Sequence, residues 1–313
     1  MKRKMEVSEL IFKIIAYVLL IIFSALCIYP LLYALSSMFS GFDAVRDGKV
    51  VLWPVDVQGK AFMYVAKNST FWINYANTLF VTFVGTIWCL VYSILGAYAL
   101  SKKRLMGRHG FNFFLVFTMW FAAGVVPTYL NYQQTGEIFA SIAGKNTFTD
   151  IDLKWLIVIA MGMNATNIVL LRNSFEGVPS EIEEAARIDG ATELQILTKV
   201  YIPMSKATIA TVALFFGISR WNGYFWAYKV LGGAQSYSWP VQVYMRDFIK
   251  IETNLTGIAP SRENGSTIGA DNLGEALSYL YSMVVFAMIP ILIIYPFIQK
   301  YFAKGVNMGG VKE

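Results

Sequence analysis

Residues 180–203 read SEIEEAARIDGATELQILTKVYIP, a polar stretch between two apolar runs that nevertheless carries the marks of ordered structure. Ser180 and Glu183 stand three apart, the spacing at which a hydroxyl accepts from one amide and the carboxylate reaches back to another, so a capping box is expected here. A helix should then occupy Glu181–Asp189, with Ile182, Ala185 and Ala186 on one face and its acids toward the positive N-terminal end. Gly190 stands where a left-handed residue costs least and should stop that helix. Thr192 and Gln195 repeat the capping pattern and open a second helix, with Leu194, Leu197 and Tyr201 along one side. Pro203 is expected to close it. The product is a helix–turn–helix carried between two hydrophobic spans.

Working outward, the 313-residue chain is 56% hydrophobic and only 15% charged, with a mean hydropathy of +0.51. That is far too apolar for a soluble domain. Six apolar runs have the length of transmembrane helices: about 11–38, 77–100, 111–130, 155–171, 207–226 and 277–299. The fold class is therefore all-α integral membrane, with residues 1–313 forming a single transmembrane domain and residues 176–203 a loop within it. The opening MKRKMEVSEL resembles a secretory signal, but the run after it is much longer than a signal's apolar core and contains no small-residue cleavage site. It is expected to be a retained first span, with Lys2, Arg3 and Lys4 held inside.

Orientation follows from Lys and Arg placement. With the N-terminus inside, the cytoplasmic segments 1–13, 101–110, 172–206 and 300–313 hold 15 of these residues in 72 positions, against 10 in 111 for 40–76, 131–154 and 227–276. The loop 101–110, SKKRLMGRHG, decides the matter with four basic residues in ten positions. Both termini are thus expected in the cytoplasm, and the net charge of +6 reflects topology and requires no nucleic acid. Cys27 and Cys89 fall inside spans as small apolar packing residues and imply no disulfide framework.

Outside the membrane, Phe71, Trp72 and Tyr75 suit a short interfacial helix, and Ile138–Ile142 suits another, interfacial or re-entrant. Asn68, Asn254 and Asn264 stand in Asn-x-Ser/Thr triplets of high chance frequency. Residues 251–276 form a long polar external loop.

Two spans carry polar chemistry. In the fourth, Asn164 and Asn167 share a helix face, either lining a translocation path or bonding across the bundle. In the fifth, Arg220 lies roughly 20 Å into an about 30 Å core at the usual helical rise. Such a cation faces a water-filled cavity, snorkels, or finds a counter-charge. Trp221, Asn222, Tyr224 and Trp226 beside it form either a sugar-stacking surface with an amide or an interfacial aromatic belt. An Arg fork suits a carboxylate, so Arg220 is expected to read an acidic sugar such as a uronate, or else a carboxylate on a partner chain.

Several chemistries are missing. The sequence has no G-x4-G-K-[S/T] phosphate loop, so ATP hydrolysis would belong to another chain. The lone His109 supports no metal motif and no triad. Glu183 and Glu184 are adjacent on a helix and cannot flank a scissile bond. No catalytic residue and no metal site is expected.

Glu184-Ala185-Ala186, three residues, Gly190, nine residues, then Val200-Tyr201-Ile202-Pro203 is similar to the EAA loop of ATP-binding cassette (ABC) importer permeases, EAA-x3-G-x9-I-x-L-P. Val200 and Ile202 are conservative variants of the motif's Ile and Leu. The stretch YPLLYALSSMFSGFDAV at 29–45, the Trp221-Asn222 pair and the tail PFIQKYFAKGVNMGGVKE at 296–313 resemble the carbohydrate-uptake branch, including the maltose-type permease subunit. Within it, the chain looks most like permeases for complex oligosaccharides such as plant-polysaccharide and alginate fragments, although the 251–276 loop is longer than in maltose-type members.

The resemblance implies the type I importer permease fold in a prokaryotic cytoplasmic membrane. It implies a second, similar permease, a pair of ATPase subunits holding ATP and magnesium, an extracellular or periplasmic solute-binding protein, and an oligosaccharide as cargo. Glu184 would make a charged contact with an ATPase subunit, Ala185 and Ala186 would pack closely there, Gly190 would make the turn, and Ile202 and Pro203 would complete the set of ATPase-coupling residues. ATP-driven closure would switch the path between inward-open and outward-open. An ABC permease for a peptide or phosphate would carry the same loop. A secondary transporter would need no ATPase, and the EAA loop argues against it.

Overall fold

The computed structural model describes residues 7–121, 123–142, 144, 153–160, 162, 164–231, 238–254 and 273–305. Lys2, Arg3 and Lys4, Asn264 with residues 255–272 of the long loop, and the tail from residue 306 lie outside them. Among the described residues there are helices and turns and no strand. Among the described residues three helices are long and apolar enough to cross a bilayer, Ser8–Met38, Ser69–Ser101 and Leu273–Pro296, and the bent pair Glu193–Met204 with Lys206–Trp221 would be a fourth if counted as one span. The chain divides into two compact units, Met1–Phe71 with Met245–Pro290, and Trp72–Tyr244 with Ile291–Glu313.

In the first unit, α1 (Val7–Met38) is a 32-residue helix with Pro30 inside it. Its apolar residues from Leu10 to Leu35 are mostly exposed, and burial begins at Ala34, Ser36, Ser37 and Met38, as expected of a helix whose outer turns meet lipid. The following loop is held by its own hydroxyls: Ser36 Oγ donates to the Leu52 carbonyl at 2.6 Å and Ser40 Oγ accepts from Val55 N at 3.0 Å. Helices α2 (Phe42–Arg46) and α3 (Lys60–Lys67) follow. Ala44, Val45 and Val50 form a small core with Tyr33, Leu277 and Tyr281. Gly274 has no alternative there, since a Cβ would stand 2.0 Å from the Phe42 carbonyl oxygen.

The second unit is built on α4 (Ser69–Ser101), 33 residues without interruption. Its first turns take in Phe71, Trp72 and Tyr75, so these aromatics do not form a separate interfacial helix. Asn68 begins it, its Oδ1 accepting from Phe71 N at 3.1 Å. The run 111–130 is split into α5 (Arg108–Trp120) and α6 (Val125–Ile142). Gly124, at φ +85°, breaks it and Pro127 fits the first turn of the next helix. Ile138–Ile142 is the end of α6 and no separate element.

The run 155–171 is likewise split into α7 (Leu153–Ala160) and α8 (Ala165–Glu176). After α9 (Ser180–Ile188) come α10 (Glu193–Ile196), a π turn at Leu197–Tyr201, and α11 (Ile202–Met204). Then α12 (Lys206–Trp221) and α13 (Tyr224–Leu231) divide the run 207–226 at Asn222 and Gly223. Finally, α14 (Val241–Asn254) and α15 (Leu273–Gly305) each contribute residues to both units. The core of the second unit joins Cys89, Ala97 and Tyr98 of α4 to Leu171 and Phe175 of α8, Ile196, Leu197 and Tyr201 of the loop, and Val212 and Phe216 of α12.

Candidate functional site

The 180–203 loop folds largely as its turn chemistry dictates. Gly190 sits at φ +78°. Around it Gly190 N donates to the Arg187 carbonyl at 3.1 Å and Ala191 N to the Ala186 carbonyl at 3.0 Å, the paired bonds of a glycine helix stop. The Thr192–Gln195 box forms in both directions, at 3.4 and 2.8 Å. The Ser180–Glu183 box does not. Pro179 occupies the capping position without a side-chain bond, and Glu183 is drawn inward instead. Nor does Pro203 close the second helix. The π turn before it widens the backbone, which accommodates a residue lacking an amide hydrogen. The chain stays helical to Met204, then turns by 87° at Ser205.

Glu183 is the centre of a half-buried charge network. Its Oε2 lies 2.7 Å from Lys102 Nζ, with those side chains 16% and 9% exposed. The Tyr201 hydroxyl donates to the same oxygen, and Arg187 Nη2 donates to Oε1 at 2.5 Å. The Lys102 ammonium also sits 4.2 and 4.0 Å from the ring centroids of Tyr98 and Tyr201, within cation–π range. Glu193 completes the arrangement, accepting from the Tyr98 hydroxyl at 2.8 Å and pairing with Arg104 and Arg187. Burial pushes Glu183 upward, but Lys102, Tyr201 and Arg187 together hold its carboxyl below the ordinary value of 4.5. Glu193 is lowered by its bonds from Arg104 and Tyr98, whereas Lys102 is lowered by burial against the pull of Glu183.

On the outer side of this loop Glu184 and Ala185 are exposed, while Ala186 and Ile202 pack against the core. Pro203 is exposed. Three large apolar side chains stand out with Glu184: Ile182, Ile188 and Leu194, the last two 87% and 65% exposed. An apolar patch rimmed by charge is what a protein partner covers.

A second constellation surrounds Arg220. This side chain is 6% exposed. Its Nη1 donates to the Ile157 carbonyl at 2.8 Å, and its Nη2 to Cys89 Sγ at 2.9 Å and the Val158 carbonyl at 3.4 Å. Ile157 and Val158 belong to the last turn of α7, whose carbonyls have no partner within the helix. Arg220 therefore closes the negative end of one half of the split run. Asn164 opens the other half: it is the residue before α8, and its side chain accepts from Asn167 N at 3.3 Å. Between them lies a cavity of about 350 Å³ lined by Asn164, Thr166, Asn167, Phe215, Phe216, Ser219 and Arg220. It combines an α-helix N-terminus, amides, hydroxyls, a cation and two aromatic rings.

The model of the family described as binding-protein-dependent transport system inner membrane component matches residues 5–308. The chain belongs to that family. Among its relatives is the polygalacturonan/rhamnogalacturonan transport system permease protein of Bacillus subtilis (strain 168), 32% identical over 302 residues, covering 96% of this chain and 98% of that one. The maltodextrin transport system permease protein of the same organism is 26% identical over 312 residues, 97% and 98% of the two chains. A solved bacterial ABC transporter involved in import of the acidic polysaccharide alginate has a chain 38% identical to this one. It superposes with a TM-score of 0.78 over 95% of this chain and 99% of its own.

In this ABC-transporter permease the cavity gathers three of the six path residues read from the sequence, Asn164, Asn167 and Arg220. The other three do not line it. Trp221 is buried against Tyr75, with ring centroids 6.1 Å apart, and its carbonyl accepts from Gln242 Nε2 at 2.7 Å. Asn222 ends α12, and Tyr224 stacks on Tyr228 at 5.9 Å. Asn164 is not on the same helix face as Asn167, because it stands before the helix and caps it. Phe215, Phe216 and Ser219 escape a reading of the sequence alone, although their spacing to Arg220 puts them within about a turn of it on α12. Lys102 is visible there only as one of four loop cations.

Proposed function

We propose that this permease carries an acidic oligosaccharide across the cytoplasmic membrane, by alternating access driven by a separate pair of ATPase subunits. The observation that carries the reading is the full-length likeness to a polygalacturonan/rhamnogalacturonan permease and to an alginate importer, both named for acidic polysaccharides. The cavity beside Arg220 is compatible with it. Three of its five N–H donors are engaged by Ile157, Val158 and Cys89, so in this reading its charge acts on the cavity chiefly as a field, and Asn167, Ser219 and the α8 N-terminus would meet a carboxylate or hydroxyls.

The assembly we propose has a second permease, the ATPase pair with its ATP and magnesium, and a solute-binding protein on the outer face. Glu184, Ala185, Ile188 and Leu194 would meet the ATPase, with Ala186, Gly190, Ile202 and Pro203 shaping the loop behind them. The chain would form one transmembrane domain of six crossings, the interrupted helix pairs each counting as one, with both termini in the cytoplasm.

Uptake of a galacturonic acid trimer and of maltotriose into proteoliposomes holding the whole complex tests the cargo. The acidic trimer should be favoured, and Arg220→Gln should narrow the difference. Equal uptake of both sugars by the wild type would overturn the reading.

A further inference from the structure

The two constellations described above share one element. Lys102 follows directly on the last residue of α4, and its ammonium is clasped between Tyr98 of that helix, Tyr201 of the loop and Glu183 of α9. Thirteen residues back along α4, about 20 Å at the helical rise, Cys89 Sγ accepts from Arg220. One turn further, Gly85 lets Arg220 approach so closely that a Cβ there would stand 3.2 Å from its Nε. The other helices near Arg220 are in pieces: α7 ends at Ala160 and α12 at Trp221. Displacement entering such pieces can be absorbed at the breaks, whereas α4 is continuous from the loop to Arg220.

We infer that Glu183 and Lys102 form a rigid joint that makes α4 the rod transmitting movement of the 180–203 loop to Arg220 and its cavity. Glu183, Lys102 and Tyr201 are positioning residues in this scheme. The joint is stiff because both loop helices are fastened to α4: α9 through Glu183 to Lys102, and α10 through Glu193 to Tyr98. A buried ion pair deprived of one partner leaves a charge without compensation, so the joint should fail when either member is replaced. The inference rests on membership of the permease family and not on the identity of the sugar.

The test uses the whole reconstituted complex with Cys27→Ser and nitroxide labels at Leu95→Cys and Lys199→Cys, two exposed positions on the rod and the loop. With the native joint, the interval between the labels should be the same without nucleotide and with ATP and vanadate. With Glu183→Gln, and with Tyr201→Phe, it should differ between the two states. In the same complexes, transport per ATP hydrolysed should fall roughly 2- to 30-fold while the subunits still co-purify. The double exchange Lys102→Glu with Glu183→Lys should recover part of it. Transport is measured with the galacturonic acid trimer and maltotriose side by side, so a neutral cargo leaves the comparison intact. If Glu183→Gln does not assemble, Tyr201→Phe decides alone. An interval that changes with the native joint, or one that stays constant in the assembled variants, would overturn the inference.

Discussion

Glu183 and Glu184 are neighbours with opposite surroundings, and that contrast yields two separate expectations. Glu184 is exposed, so Glu184→Lys should leave thermal stability within about 0.5 kcal/mol of wild type. It should nevertheless abolish the stimulation of ATPase activity by loaded binding protein, because the outer face of the loop is where a partner would dock. Assembly and ATPase assays read this directly, and full stimulation in the variant would remove Glu184 from the interface. Glu183 instead should behave as a structural acid. Its carboxyl is held below 4.5 in the fold, and Glu193 is lowered as well. A depressed carboxylate adds stability that is fully present above its unfolded pKa and disappears as pH falls through the lower, folded one. The melting temperature of the detergent-solubilised protein should therefore be flat from about pH 7 to 5 and drop below about pH 4. Glu183→Gln should make that acid limb shallower, leaving the share due to Glu193, and an unaltered limb would show that Glu183 does not contribute to it.

The helix stop at Gly190 belongs to the scale of elements. Nothing lies within 4 Å of where its Cβ would be, so Gly190→Ala meets no clash. Its whole cost is the left-handed backbone, about 1–2 kcal/mol. Thr192→Ala should cost about 1 kcal/mol by opening the capping box. Chemical denaturation followed by a probe on the loop would measure both, and a neutral Gly190→Ala would contradict the φ of +78°. These devices are readable in the sequence because each is a local pattern of four or five residues. The expected Ser180 box fails because the same acid has a distant competitor: Lys102 lies far back in the sequence yet 2.7 Å from Glu183 in space. No periodicity reveals such a pair. The breaks at Gly124, Asn164 and Asn222 are hidden for another reason. Hydropathy adds up apolar residues and passes over one glycine or asparagine that satisfies a helix end. The cavity inherits that blindness, since Asn164 belongs to it as a cap and Arg220 as the closure of α7.

At the scale of the whole molecule, helix lengths carry the topology. Helix α4 has 33 residues. At the helical rise that is about 50 Å, enough to reach beyond both faces of a hydrocarbon core about 30 Å thick. By contrast α12 has 16 residues. Its length of about 24 Å falls short of the core by itself, and in the proposed topology α13 completes the crossing. Likewise α7 and α8 reach about 30 Å only when added together. Broken helices are tolerated at such depth where protein or a water-filled cavity satisfies the freed backbone groups, and Arg220 and Asn164 do this at the break between α7 and α8. If each pair makes one crossing, single cysteines at the exposed positions Lys49, Glu137 and Lys229 should react with an impermeant maleimide in intact cells. Lys103→Cys and Asp189→Cys should react only after the membrane is opened. The discriminating positions are Glu137 and Lys229, because a pair that turns back on itself would return them to the side of Lys103 and Asp189. Labelling of all four from the cytoplasm alone would make α5–α6 and α12–α13 re-entrant, leaving the cavity beside Arg220 open to one side through a shorter path.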